Sequence, residues 1–380
     1  MELRKPIPYA RHELAPEDIE AVTEVLNGDW LTIGPKVDEF EGKLKEYLGV
    51  PTTVVSSGTA ALHSAYKAIG ISQGDEIIVP PLTFIATQAA AMHLGGVPVF
   101  VDIEKETGNM NPALVEEAIT DKTKAIVTVD YAGQPGDLET LSKIAKKFGL
   151  MLVEDAAHSI GSELNGHKVG KLADVTTYSF FSTKNITSGE GGAVSALDGN
   201  IVEKVRNFTH QGLIRDPKKF KIFSEGPWHQ EVQDIGLNYR LPDILCALGL
   251  SQLKRIEKFK KRRQEIFDYY TDNLSNFENI TTPHKKPNCD PMWHLYPLRV
   301  PAEKRLEIFK FLRQANIWVQ VNYLPAYRHP VFENYGINRE SYPNSEEYYS
   351  REISLPMNTY ISDSELEYVV SKVQEAIKQI

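Results

Sequence analysis

Cysteine is nearly absent from this 380-residue chain, which holds only Cys246 and Cys289. Two cysteines cannot build a disulfide framework, and such usage fits a reducing compartment. No apolar run is long enough to span a bilayer, and Met1-Glu2-Leu3-Arg4-Lys5-Pro6 has no apolar core of the secretory kind. The expectation is a cytoplasmic protein that engages no membrane. A positive charge balance is also missing. Lys+Arg of 42 against Asp+Glu of 51 leaves a net charge of -9, which sets aside a nucleic-acid polymer as partner, since phosphate backbones require net positive faces. There is no internal repeat and no low-complexity segment. With 42% hydrophobic and 24% charged residues, the composition excludes disorder, collagen and coiled coil.

What is present is alternation. Apolar residues at helical spacing predict helices over 16–27 and 37–48, separated by the glycine-punctuated loop 28–35. From residue 52 to about 200, short β-branched runs recur at 52–56, 76–79, 97–102, 125–130, 151–154, 176–180 and 193–196. Helical patterns at 60–69, 86–93, 112–119 and 138–148 stand between most of them. Strand and helix in alternation predict an α/β fold, with a largely parallel sheet covered on both faces. Residues 241–275 read as one long helix whose middle, 254–263, is strongly basic. That run is either an anion-binding stripe or the solvated face of an interdomain helix. Beyond 280, predicted strands (294–300, 318–322) and helices (303–315, 363–377) suggest a second, smaller α/β unit. The expected division is a large domain over 1–250 and a small one over 251–380.

Three features fall at predicted strand ends, where open α/β sheets bind ligands. Ser56-Ser57-Gly58-Thr59-Ala60-Ala61-Leu62 leads a small-residue turn into a helix; it suits a phosphate, and equally a plain helix cap. Leu152-Val153-Glu154-Asp155-Ala156-Ala157-His158 delivers two carboxylates and a histidine from a buried strand. A carboxylate there needs a cation, a metal, a protonated heterocycle or a turn to cap. Ser179-Phe180-Phe181-Ser182-Thr183-Lys184 places a lysine beyond the next strand, before the glycine-rich turn Gly189-Glu190-Gly191-Gly192. A desolvated lysine can condense with a carbonyl; an exposed loop lysine cannot be told from it by position alone. No paired Cys or His spacing supports a metal, His284, Cys289 and His294 included. Together the three features match pyridoxal 5′-phosphate (PLP), which needs a lysine for its aldehyde, donors for its phosphate and a carboxylate for its pyridine nitrogen.

On these blocks, and on the stretches 28–34, 80–87, 236–243 and 320–327, the chain resembles the fold-type I sugar aminotransferases of the DegT/DnrJ/EryC/StrS family. The resemblance implies a large domain with a mostly parallel seven-stranded sheet and a smaller C-terminal α/β domain. It implies Lys184 and Asp155 as catalytic residues, the lysine carrying PLP and the aspartate facing its pyridine nitrogen. His158 would stand near the phenolic oxygen, where the family most often has glutamine. Phe84 would stack on the ring, and Gly58, Thr59 and Ser179 would hold the phosphate. Asn238 would reach the cofactor phosphate of a neighbouring subunit, which implies a homodimer with shared active sites. Val129-Asp130-Tyr131-Ala132-Gly133, His294-Leu295-Tyr296-Pro297 and Gln320-Val321-Asn322-Tyr323 resemble the subgroup that aminates a UDP-linked 4-keto-6-deoxy-2-acetamido sugar in pseudaminic acid synthesis. That likeness implies sugar-nucleotide contacts at Tyr9, Asp29, Trp30, Leu31, Thr32, Ser57, Ser179, Asn238, Gln320, Val321, Asn322 and Tyr323. The subgroup more often has histidine at the position of Asn322. The amino donor implied by family habit is L-glutamate, and no metal is implied.

Overall fold

The computed structural model describes residues 5–378; residues 1–4, which open the N-terminal stretch read above, and 379–380 lie outside them. The seven predicted runs pair into one sheet. They form β1 (Thr52–Val55), β2 (Glu76–Val79), β3 (Val97–Phe100), β4 (Thr123–Val129), β5 (Met151–Asp155), β6 (Val175–Ser179) and β7 (Gly192–Ala196). The spatial order is β1-β7-β6-β5-β4-β2-β3. Strands β2 to β6 pair in parallel with one another, and β7 alone runs against both its neighbours. Strands buried on both faces explain why the runs read as continuous rather than alternating.

The pleat sends successive side chains to opposite faces. Ile77, Val79, Val127 and Val153 pack with three helices, Gly58–Ala68, Ala86–Met92 and Gly199–Thr209. The first of these, entered from the loop after β1, is α3 in chain order after α1 (Pro16–Leu26) and α2 (Pro35–Leu48). Ile78, Ile126 and Leu152 pack with Leu138, Leu141 and Ile144 of the helix at Leu138–Phe148. A separate apolar cluster gathers the C-terminal elements. Tyr296–Arg299 and Glu352–Leu355 pair antiparallel, and Phe267, Tyr270, Ile308, Val369 and Val373 pack around them.

Three predicted elements differ. Residues 112–119 form two short 3-10 turns, Pro112–Leu114 and Glu116–Ala118, instead of a helix. Only Val115 of the segment is buried, and one apolar anchor does not offset the cost of helix nucleation. The long helix over 241–275 is broken into Asp243–Leu253 and Ile256–Leu274. At the break Arg255 leaves helical geometry and pairs with the buried carboxylate of Asp18. Three more cations of the basic run are similarly committed: Lys260 to Asp290 at 2.7 Å, Arg262 to Asp363 at 2.7 Å, Arg263 to the carbonyls of Trp293 and Met357. These contacts tie distant parts of the chain together, which favours the interdomain-helix reading of the run. Finally, at 318–322 Gln320 bridges to Ser354 and the Trp318 amide donates to the Ile7 carbonyl. The amides of Val321 and Asn322 turn to the side chains of Gln320 and Glu352, so no strand is continued.

Candidate active site

A cavity of about 400 Å³ opens at the C-terminal ends of the parallel strands. Asp155 enters it as the last residue of β5 and is 4% exposed. Its neighbour Glu154 points to the other face, where it accepts from the Gly170 amide and Thr176 Oγ1. Of the two carboxylates, only Asp155 lines the cavity. Asp155 Oδ2 accepts from Thr87 Oγ1 at 2.8 Å and Oδ1 from the Ala157 amide at 3.2 Å. Thr83 Oγ1 lies 3.1 Å from Thr87 Oγ1. Since Thr87 spends its one proton on the carboxylate, Thr83 donates to Thr87. Burial raises Asp155 above the usual carboxylate range, against the pull of Thr87, Ala157 and Lys184.

Lys184 lies in the loop after β6, and its amide donates to the Phe181 carbonyl at 2.9 Å. Burial lowers its ammonium to about 8, and Asp155 acts in the opposite direction. The two residues approach each other as an amine that loses its proton easily and a carboxylate held in place. His158 is buried, with Nε2 3.1 Å from the Tyr323 hydroxyl and Nδ1 unpartnered. Burial and Lys184 hold its imidazole well below the ordinary pKa. The loop entering α3 contributes Ser57, Gly58 and Thr59 to the cavity, beside Ser179. Ser57 Oγ accepts from the Ala60 amide at 3.0 Å, so the helix-cap reading of that turn is realised. Phe84 is 58% exposed, with its ring 6.2 Å from Tyr323.

Tyr9, Gln320, Asn322 and Tyr323 line the same cavity. Asn322 is held on every side. Its amide donates to Glu352 Oε2 at 2.7 Å, its carbonyl accepts from Tyr131, and its Nδ2 donates to Tyr9 at 2.7 Å and Ser354 at 3.0 Å. Asp29, Trp30, Leu31, Thr32, Val321 and Asn238 do not line this cavity. Trp30 and Leu31 lie on an exposed loop, and Asn238 bridges to His210. Sequence reasoning passed over Thr83, Thr87 and Glu352.

Glu352 is fully buried, and burial raises its carboxyl to about 8 from an ordinary 4.5. A raised carboxyl stabilises the fold below its unfolded pKa and ceases to as pH climbs through the folded value. Stability should therefore fall between about pH 4.5 and 8. The substitution Glu352→Gln removes that slope, and in thermal melts the variant should exceed the parent by about 5 °C at pH 9. Equal melting temperatures at pH 9 would contradict the assignment of a buried acid.

Residues 12–374 match the model of the DegT/DnrJ/EryC1/StrS aminotransferase family. The chain belongs to this family. It is 35% identical to the GDP-perosamine synthase of Escherichia coli O157:H7, over 98% of either chain. It is 33% identical to the UDP-4-amino-4,6-dideoxy-N-acetyl-beta-L-altrosamine transaminase of Campylobacter jejuni, again over 98% of each. Among solved structures, Helicobacter pylori PseC, an aminotransferase of pseudaminic acid biosynthesis, superposes with a TM-score of 0.92 at 32% identity, covering 99% of this chain and 100% of that one. The PLP form of Streptococcus pneumoniae Spr1654 gives 0.91 at 30% identity, with 98% and 99% covered. The fold is thus that of the fold-type I aminotransferases, and the chain is a PLP-dependent nucleotide-sugar aminotransferase.

The cavity suits PLP. It offers an amine with a lowered pKa, a buried carboxylate already fixed by two donors, and a buried imidazole nitrogen left without a partner. Among the described residues no cluster of His, Cys, Asp or Glu could hold a metal ion, and no helix is long and apolar enough to cross a membrane.

Proposed function

We propose that this aminotransferase moves nitrogen from L-glutamate to C4 of a UDP-linked 4-keto-6-deoxy-2-acetamido sugar, as in pseudaminic acid synthesis. The products are 2-oxoglutarate and the 4-amino sugar nucleotide. The observation that carries the reading is that Lys184 and Asp155 share one cavity with Tyr9, Gln320, Asn322 and Tyr323. Bound PLP supplies an electron-poor ring that draws electrons from the breaking bond. Asp155, locked by Thr87 and the Ala157 amide, would hold the pyridine nitrogen, with His158 toward the phenolic oxygen and Phe84 toward the ring. Lys184 takes the proton from the donor's α-carbon and, in the second half-reaction, delivers one to C4 of the sugar. A lysine with a pKa of about 8 does both near neutral pH.

Gly58, Thr59 and Ser179, which line the cavity, would hold the phosphate. A Cβ at Gly58 would stand 2.8 Å from Ser179 Cβ, so Gly58→Ala pushes Ser179 aside. Titration with PLP should show at least about tenfold weaker binding, the loss of one charge-assisted hydrogen bond. Unchanged affinity would place the phosphate elsewhere.

The division into a large domain, 1–250, and a small domain, 251–380, accompanies this reading, as does a homodimer. Ile222, Phe223, Trp228 and Ile235 are 64, 92, 73 and 78% exposed, more apolar surface than one arm of a monomer keeps in water. Asn238, Asp29 and Trp30 then serve a neighbouring cavity. Light scattering should give twice the mass of the chain; a monomer would contradict the shared site.

The likeness to GDP-perosamine synthase favours a second reading, amination of a GDP-linked 4-keto sugar; dTDP-linked and 3-keto sugars complete the set. Competition between UDP-, dTDP- and GDP-linked keto sugars, with aminated products resolved by mass, decides. The UDP 2-acetamido sugar should show the highest kcat/KM, and preference for another would overturn the substrate assignment while leaving the chemistry intact.

A further inference from the structure

His294 stands in the same cavity wall as Lys184 and Asp155, and nothing above gives it a task. It is buried, 6% exposed, with its ring 4.3 Å from that of His158. Its Nδ1 lies 3.1 Å from Asn185 Oδ1. The direction of this bond follows from the amide. Asn185 Nδ2 gives both its protons to backbone carbonyls, of His158 at 2.7 Å and of Met292 at 2.8 Å. Carbonyls only accept, so turning the amide over would face oxygen against oxygen at two buried contacts. Asn185 Oδ1 is therefore an acceptor, and Nδ1 of His294 carries a proton.

Burial, with His158, Lys184 and Arg263 nearby, keeps the His294 ring from taking a second proton. Its Nε2 then bears a lone pair, and among the described residues no donor meets it. Once a bound substrate shuts water out of the cavity, that lone pair needs an N–H or O–H. PLP would have little to offer: its phosphate and phenolic oxygens accept, and its one ring N–H would be taken by Asp155. A keto sugar with hydroxyl and acetamido groups has donors.

We propose that His294 is a hydrogen-bond acceptor for the sugar, set in its tautomer by Asn185 and presenting Nε2 to a hydroxyl or amide N–H of the nucleotide-linked substrate. This rests on the sugar-aminotransferase reading above. Asn185 is then a positioning residue, acting through the imidazole it orients.

The test uses the holoenzyme. With histidine labelled by ¹⁵N, His294 should show a protonated Nδ1 and a lone-pair Nε2, identified by their absence from His294→Asn. Adding the keto sugar should move the Nε2 resonance toward the protonated range. His294→Asn keeps a donor toward Asn185 and loses the acceptor, so KM for the sugar should rise about tenfold, with KM for glutamate changed less than about twofold. His294→Gln, whose carbonyl reaches the Nε2 position, should recover most of the loss. An unprotonated Nδ1, an Nε2 resonance indifferent to sugar, or a sugar KM unmoved in His294→Asn would overturn the proposal. Should the parent enzyme aminate no sugar, the functional reading fails instead, and the tautomer measured without substrate still tests the role of Asn185.

Discussion

Replacing Lys184 by alanine should abolish transamination, lowering 2-oxoglutarate release from glutamate by about 10⁴-fold or more, the upper end of what a positioned acid–base group contributes. The size of the effect follows from the geometry. The described cavity wall holds Lys184 with an ammonium lowered to about 8, whereas His158 and His294 are kept neutral by burial and Asp155 is committed to Thr87 and Ala157. None of these three is placed to take over. Borohydride treatment of the parent holoenzyme should leave cofactor mass on the peptide containing Lys184, and the alanine variant should show none. Activity within about tenfold of the parent would remove Lys184 from the reaction.

The second large effect is expected at Asp155. Asparagine keeps the size of the side chain and can still accept from Thr87, but it cannot hold a positive pyridine nitrogen. Glutamate-dependent turnover should drop about 100- to 1000-fold, the range for deleting one preorganised electrostatic partner. The cofactor-free fold should not suffer. Burial raises the Asp155 pKa, so its ionised form opposes folding as pH rises through that value. The Asn variant should therefore melt no lower than the parent at pH 8 without PLP. Loss of activity together with a lower melting temperature would make Asp155 a structural residue instead. The two variants separate chemistry from stability because both sites are buried groups whose charged forms the protein scarcely favours.

Lys184, Asp155, Ser179 and the loop at Gly58 were legible because each stands where a buried strand ends or a helix begins, and small residues mark both places. Thr87 was not. Its bond to Asp155 joins residues 68 apart in sequence, and a threonine opening a helix looks like any other. His294 opens a predicted strand, and Glu352 stands between Arg351 and Ile353 with nothing local to mark it; only the partners brought by folding distinguish them. The sheet is legible whole because six of its seven strands are buried on both faces and leave continuous runs, while the edge strand Val97–Phe100 alternates. The helix over 241–275 did not, since its break depends on Arg255 meeting Asp18, 237 residues away, and local periodicity holds no trace of that contact. The basic run is ambiguous for the same reason: Arg255, Lys260, Arg262 and Arg263 meet partners scattered over the chain.

The central claim is that one lysine and one aspartate, in one cavity, pass nitrogen from an amino acid to a nucleotide-linked keto sugar in two separable halves. The most direct measurement is a single turnover in two steps. Holoenzyme is treated with ¹⁵N-labelled L-glutamate, freed of donor by gel filtration, and then given the UDP-linked 4-keto-6-deoxy-2-acetamido sugar. The account predicts one 2-oxoglutarate released per site in the first step, and one ¹⁵N-bearing 4-amino sugar nucleotide per site in the second. Release of 2-oxoglutarate only when both substrates are present, or a sugar product without the label, would contradict it.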